Sequence, residues 1–502
     1  ALRLRDPRVW APAVACAAII LVCLILTKSR AGILASAMGA FLLAAWTAAA
    51  GSRLSRRIVA VAVTCVVVVV AAAATVGALD REMLTEAGKS LGYRLQYWQA
   101  TAEMIRERPW FGCGPGQFQS YYTQYKLPEA SETVADPHNF LMEIWATAGT
   151  PAALALLAVI GIVAWHVLRD SQRTSERQSP ENASGFPSRV AAPPFIDATR
   201  HILAGGAGGF LLALLFGPLA TVPLGLAACM GGVAVAAIVV ASLYPWIVRG
   251  AMPAVVLALA AAVLLVNLLA GGGINFAGVA GSLWLLTALC MATIERWRKL
   301  TTLPAVALLA VTAMLSGAFY LTVYQPAMAC NLAMDRADIE PERSEFYLRA
   351  AAVADPFNAE PINRLAMVEW SGWQRHPSDA ALDRVVALLN EAMRLDPHAA
   401  ATAEMKGDIC REVYRRTGAI APLGLAAQSY EHALELFPTN ILCRAKWALV
   451  LAETGQAQQA AVAAAAALSA STATPHADQK LPEDIVAQLE PLAAGPAETP
   501  PN

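Results

Sequence analysis

The sequence predicts an all-α protein in two parts: a polytopic bundle of about nine transmembrane helices, then a soluble helical-repeat domain. Three observations carry this. Of 502 residues, 57% are hydrophobic and only 15% charged, with a mean hydropathy of +0.48; soluble domains run near ~25% charged. The apolar residues gather in runs of about twenty, the length a bilayer-spanning helix needs. Charge also divides along the chain: up to Val323 there are 23 Lys+Arg against 15 Asp+Glu, and from Tyr324 onward 14 against 23. This composition excludes a soluble cytosolic enzyme, a disordered chain and a disulfide-stapled secreted module. No block is basic enough to suggest nucleic acid. The nine cysteines show no CxxC and no metal-like spacing, so neither a metal site nor a disulfide framework is expected.

Nine segments qualify as spans: 9–27, 31–50, 58–79, 139–165, 202–221, 224–243, 252–270, 275–293 and 303–323. With the N-terminus inside, the inner loops hold clusters such as Arg3, Arg5 and Arg8, Arg53, Arg56 and Arg57, and Arg296, Arg298 and Lys299. The short outer loops hold only Lys28 and Arg30, the bias expected of cytoplasmic loops. Losing the Gly- and Ala-rich segment 224–243 would invert everything downstream. Three parts then face outward: the turn at Lys28–Arg30, the loop 80–138, and all that follows Tyr324. The expected domains are a membrane core at 1–170, a disordered cytoplasmic linker at 171–200 rich in Ser, Pro, Gln and Arg, further membrane helices at 201–323, helical repeats at 324–470, and a disordered tail at 471–502. The chain begins at Ala1, and Arg3, Arg5 and Arg8 precede an apolar run as in a signal peptide. The long apolar runs that follow at once favour instead a fragment starting on a cytoplasmic loop.

In the tail, "YLRAAAVADPFNAEP", "LLNEAMRLDPHAAAT" and "SYEHALELFPTNILC" resemble one another. Their prolines, Pro356, Pro397 and Pro438, lie 41 residues apart, each ending a helix whose small Ala residues permit close packing. The pattern resembles tetratricopeptide repeats. Their usual period is 34, so an insertion in each unit is expected. An ordinary helical domain with chance similarity is the bland alternative.

The loop 80–138 is too long for a simple connector. Its middle, "SLGYRLQYWQATAEMIRERPWFGCGPGQF", predicts an amphipathic helix capped by Ser90, with Tyr93, Tyr97, Trp98, Thr101, Met104 and Ile105 at helical spacing. Its apolar face suits a membrane surface. Pro109 stops the helix, and Gly112, Gly114 and Gly116 make a tight turn that lacks the lysine and preceding strand of a phosphate-binding loop. Arg94 on this helix reads locally as a surface arginine. Arg30, between two apolar runs, either snorkels beside Lys28 or faces a cavity. His138 in "DPHNFLMEIWATAGTP" stands where an apolar helix begins. There it is either a capping residue or an imidazole kept neutral by the helix N-terminus, the state a general base needs. Asn139 and Glu143 share a helix face, and a carboxylate in an apolar helix is a functional candidate.

Taken together, "SRAG", "GYRLQYWQATAEMIRERPWFGCGPGQF" and "HNFLMEIWATAGTPAALALL" resemble the O-antigen ligase and polymerase superfamily over roughly residues 28–160. The resemblance implies an inner-membrane glycosyltransferase, metal-independent, inverting and without a cofactor. Its donor would be a glycan on undecaprenyl diphosphate, its active loop and repeats periplasmic, and its acceptor a lipid A-core sugar. A polysaccharide polymerase or a protein O-oligosaccharyltransferase shares the donor and differs in the acceptor; a membrane-anchored repeat scaffold recruiting a protein partner is the non-enzyme alternative. By the same resemblance His138 is the catalytic base, and Arg30 and Arg94 bind the donor diphosphate. Lys28, Asn139 and Glu143 form a possible second tier. Such proteins carry about six more helices before the Ser-Arg motif, consistent with a truncated chain here.

Overall fold

A computed structural model describes residues 24, 29–49, 81–130, 132–177, 254–292 and 302–495. The expected spans 58–79, 202–221 and 224–243, nearly all of 9–27, and linker residues 178–200 lie outside these. The described residues are predominantly helical and include no strand. Two described helical stretches are long and apolar enough to cross a membrane, Phe140–Arg169 and Val306–Ile339; Ala31–Trp46, Val255–Gly271 and Gly278–Met291 are shorter apolar helices. The chain divides into two compact units. One comprises Ala1–Lys89, His138–Leu141 and Ala153–Arg298, the other Ser90–Pro137, Met142–Ala152 and Lys299–Asn502.

In the first unit α1 (Arg30–Ala49) packs on α5 (Ala254–Gly271), which packs on α6 (Ala277–Ala292). Ser29 begins α1: its hydroxyl accepts from the Gly32 amide at 3.1 Å, satisfying one of the orphan donors of a helix start. Gly39 faces Val263 so closely that any Cβ would collide with it, the close approach small residues permit between apolar helices.

The second unit holds two helices of the loop, α2 (Arg81–Glu107, from Ser90) and α3 (Phe118–Tyr125). It also holds the start of α4 (Phe140–Arg177) and a helical array. The array runs α7 (Thr302–Phe319), a π turn at Tyr320–Tyr324, α8 (Gln325–Ile339), α9 (Ser344–Ala354), α10 (Glu360–Arg375), α11 (Asp379–Leu395), α12 (Ala400–Thr417), α13 (Ile420–Leu436), α14 (Ile441–Glu453), α15 (Ala457–Ala473) and α16 (Glu483–Ala493). Neighbours pack as hairpins: α8 with α9, α10 with α11, α12 with α13, α14 with α15. Helices α9, α11 and α13 close on caps Asp355, Asp396 and Phe437, each directly before one of the three prolines. Between Pro397 and Pro438, α12 and α13 have 18 and 17 residues, so helix rather than loop fills most of the 41-residue period.

Two boundaries differ from expectation. Helix α4 continues through 171–177, the start of the expected linker. Residues 471–495 are ordered structure rather than a disordered tail: α16 buries Leu489 against Ala460, Ala463, Ala464 and Ala467. Composition rich in Ala and Pro concealed it, because Ala packs as well at a helix contact as it sits in a loop.

Candidate active site

The loop helix α2 starts well before Ser90, which lies within it rather than capping it. Arg94 is therefore mid-helix. The apolar face is as predicted, but its partner is protein. Tyr97, Ala100 and Met104 are buried with Phe118, Tyr122, Val134 and Ala146, while Tyr93 and Ile105 pack at the edge. That face is spent on the loop's own core and is not free to lie on a membrane surface. Burial drives the Tyr122 hydroxyl far above its ordinary pKa, with Tyr97 adding to the effect.

Two glycine motifs that looked separate in sequence are partners. Helix α4 is broken at Gly149 (φ 83, ψ 176), and Pro151 follows. A proline has no amide to give Thr147, and the Thr150 amide donates instead to the Pro109 carbonyl at 2.7 Å. The carbonyls of Ala146 and Thr147 are thereby released. They accept from the amides of Cys113 at 2.8 Å and Gly114 at 3.0 Å. The backbones meet so closely that a Cβ on Gly112 would strike Ala146 and Thr147, and one on Gly149 would strike Trp110. Gly112 and Gly114 also have positive φ, 67° and 96°, which glycine adopts without penalty.

His138 has φ 52°, the only positive φ at a non-glycine among the described residues. A side chain held there costs free energy and concentrates at functional sites. It is not the helix cap. That role falls to Asn139, whose Oδ1 accepts from the Leu141 amide at 3.1 Å. The peptide preceding His138 is held from the loop helix, because Trp98 Nε1 donates to the Pro137 carbonyl at 3.0 Å. Trp98 lies one turn beyond Arg94. Arg94 itself is half-buried and makes no hydrogen bond or ion pair among the described residues. Other loop arginines are engaged: Arg106 bonds Glu103 at 2.8 Å, and Arg108 lies 4.5 Å over the Tyr121 ring.

Glu143 is 1% exposed, in the first turn of α4, where a carboxylate favours the helix dipole. Arg30 is the first residue of α1; its side chain and Lys28 lie outside the described atoms. Arg30, His138 and Asn139 belong to the first unit, Arg94 and Glu143 to the second.

Sequence reasoning missed the loop's partner. Helix α3 and the segment after it dock along the turns that end the array's helices. Tyr121 stacks on His398 at 3.8 Å, and Ser120 Oγ donates to Asp396 at 3.3 Å. Thr123 Oγ1 donates to the Leu436 carbonyl at 3.0 Å, and the Lys126 ammonium lies 5.4 Å over Phe437. His476 meets the Glu129 carbonyl at 3.2 Å and the Tyr93 ring at 5.7 Å. Two of these partners, Asp396 and Phe437, are 41 residues apart and so share the spacing of the prolines. That recurrence, and the Gly-Thr-Pro inside an apolar helix, were the available signals.

The fold and site define a class: the described residues are helical without strands, two of the helical stretches are apolar and long enough to cross a membrane, and a structured loop carries an arginine with no ion partner among the described residues and ends on a strained histidine. Within it, residues 15–157 match the family model described as O-antigen ligase, a membrane-embedded family of ligase and polymerase type. The match takes in Arg30, Arg94 and His138. No curated protein matches the chain.

Proposed function

We propose that the chain is a membrane glycosyltransferase of the O-antigen ligase type, moving a glycan from undecaprenyl diphosphate to an acceptor hydroxyl on the periplasmic face of the inner membrane. The observation that carries this is Arg94. It is a half-buried residue left without an ion partner among the described residues, on the helix whose Trp98 fastens the peptide of the strained His138.

Arg94 and Arg30 bind the donor's diphosphate through charge-assisted hydrogen bonds, which strengthen as negative charge grows on the leaving group. His138 accepts the proton of the acceptor hydroxyl as its oxygen attacks the anomeric carbon. The new glycosidic C–O bond forms, the bond to the diphosphate breaks, and undecaprenyl diphosphate departs with its electron pair. In-line displacement inverts the anomeric centre. No metal is needed, because the guanidinium groups carry the charge stabilisation. Glu143 and Lys28 serve as a second tier, whereas Asn139 acts chiefly as the helix cap.

The helical hairpins form a tetratricopeptide-like solenoid whose turn ridge clamps the loop. That contact supports the topology, since loop residues 120–129 touch the turns at His398, Leu436 and His476 directly, and segments in contact outside the spans share one side of the membrane. The chain from 139 to 323 then crosses an even number of times, in keeping with six spans and with 224–243 being one of them. It also weighs against a pure scaffold, because this ridge is occupied by the protein's own loop.

The test is glycan transfer by the full chain in membranes with a lipid-diphosphate-linked glycan, offering lipid A-core, growing polysaccharide and protein acceptors in parallel. His138→Ala and Arg94→Ala are expected to lose roughly a hundredfold or more of the rate with normal insertion. The acceptor labelled by the parent separates ligase, polymerase and protein transferase. Unchanged transfer by His138→Ala would remove it as the base.

A further inference from the structure

Trp110 and Phe111, at the head of the glycine turn, are 68% and 86% exposed. Exposure alone assigns nothing to two aromatics, since single apolar side chains are common on surfaces; their position does. The Trp110 carbonyl and the Phe111 amide lie against Gly149, and the peptide before them, at Pro109, is hydrogen-bonded to Thr150.

Thr150 and Pro151 open the apolar part of α4 after the break. Proline is favoured at such a first helical position because its missing amide would be unsatisfied anyway. From Pro151 to Arg169 runs a stretch of a length that crosses a bilayer, about 28 Å at 1.5 Å per residue. Its side chains Leu154, Leu157, Ile162 and Leu168 are exposed, as a lipid-facing helix requires. The break at Gly149 lies within the apolar stretch Phe140–Arg169 and is one end of the unbroken apolar run 151–169. The two aromatics stand beside that end. Trp145, exposed nearby, donates Nε1 to Thr150 Oγ1 at 2.9 Å. Tryptophan at the water–hydrocarbon boundary keeps its ring in the apolar layer and its N–H among headgroups.

We propose that Trp110 and Phe111 insert into the bilayer interface and fasten the loop that carries Arg94 to the lipid surface. The occupant is phospholipid, at the headgroup–acyl boundary. Continuity with the spanning helix favours lipid over a second copy of the chain or a soluble partner. The proposal rests on α4 crossing the membrane. It does not require the transferase chemistry, although a lipid-linked donor would arrive along this same surface.

The test uses the full chain in bilayers containing a phospholipid with a photoreactive diazirine near the glycerol end of its acyl chain. Adducts are mapped by mass spectrometry. Peptides bearing Trp110 and Phe111 are expected to carry lipid adducts, as is 151–168. The double variant W110S/F111S loses the loop adducts and keeps those on 151–168, which shows that the helix is still inserted. Adducts on 151–168 without loop adducts in the parent would overturn the proposal while leaving the membrane span intact. Loop crosslinks to a second protein copy in place of lipid would overturn it too. Absence of adducts on 151–168 would sink the membrane reading of α4 on which it rests.

Discussion

Backbone conformation sets the sharpest constraints at single residues. Gly149→Ala places a Cβ at positive φ and against the Trp110 carbonyl at once. The strain alone costs about 1–3 kcal/mol, and the clash adds to it. The expected outcome is earlier proteolysis of the loop and a large drop in transfer. Gly161→Ala on the same helix, where a Cβ meets open space, is expected to be silent. Asn139→Ala removes a helix cap and is expected to cost ~1 kcal/mol, read as a modest loss of thermal stability with chemistry retained. Arg94→Ala should leave stability nearly unchanged, because no partner among the described residues depends on it, and should cost activity. Glu143 stands out in the sequence because a carboxylate in an apolar helix is expensive, whereas Arg94 and His138 read locally as a surface arginine and as a cap or base, and stand out only through the family resemblance. The release of the Ala146 and Thr147 carbonyls was not legible there, since their amide partners come from Cys113 and Gly114, more than thirty residues away.

The loop and the array meet at the level of elements, and that contact is titratable. His398 stacks on Tyr121, and burial holds its imidazole below the ordinary 6.5; Arg108 adds to this and Asp396 opposes it. The docked state thus prefers the neutral ring. A depressed pKa contributes stability that is complete above the undocked value and is lost as pH falls from 6.5 through the docked value. Hydrogen exchange across 118–130 is expected to quicken below pH 6.5, and His398→Gln to remove that dependence. Farther along the array, Arg411 grips Glu453 through two bonds, at 2.6 and 3.2 Å, with the arginine side chain 9% exposed. Glu453→Ala strands a buried guanidinium and should cost about 3 kcal/mol. Loss of the exposed Arg349–Glu345 pair should cost well under 1 kcal/mol. Thermal unfolding of the two variants compares them. The repeat period announced the hairpins because close-packed Ala and helix-ending Pro are local signals. It did not announce what the ridge binds, because stacking of Tyr121 on His398 depends on a contact across 277 residues of chain.

Across the whole molecule, direct contact between loop and repeats predicts that both report the same side of the membrane. Alkaline phosphatase fusions ending near residues 130 and 470 are both expected to be active, and one ending near 185 inactive. Opposite results at 130 and 470 would remove a span from the count and with it the clamp. The sequence by itself determined the helical class, apolar stretches of spanning length and the hairpin array, because these follow from composition and period. Tertiary structure alone decided that α4 breaks at Gly149, that the glycine turn completes the broken helix, that the loop's apolar face is already covered, and that residues 471–495 fold. Each of these depends on which distant backbone group meets an unsatisfied carbonyl or an uncovered apolar face, and spacing along a chain does not encode that meeting.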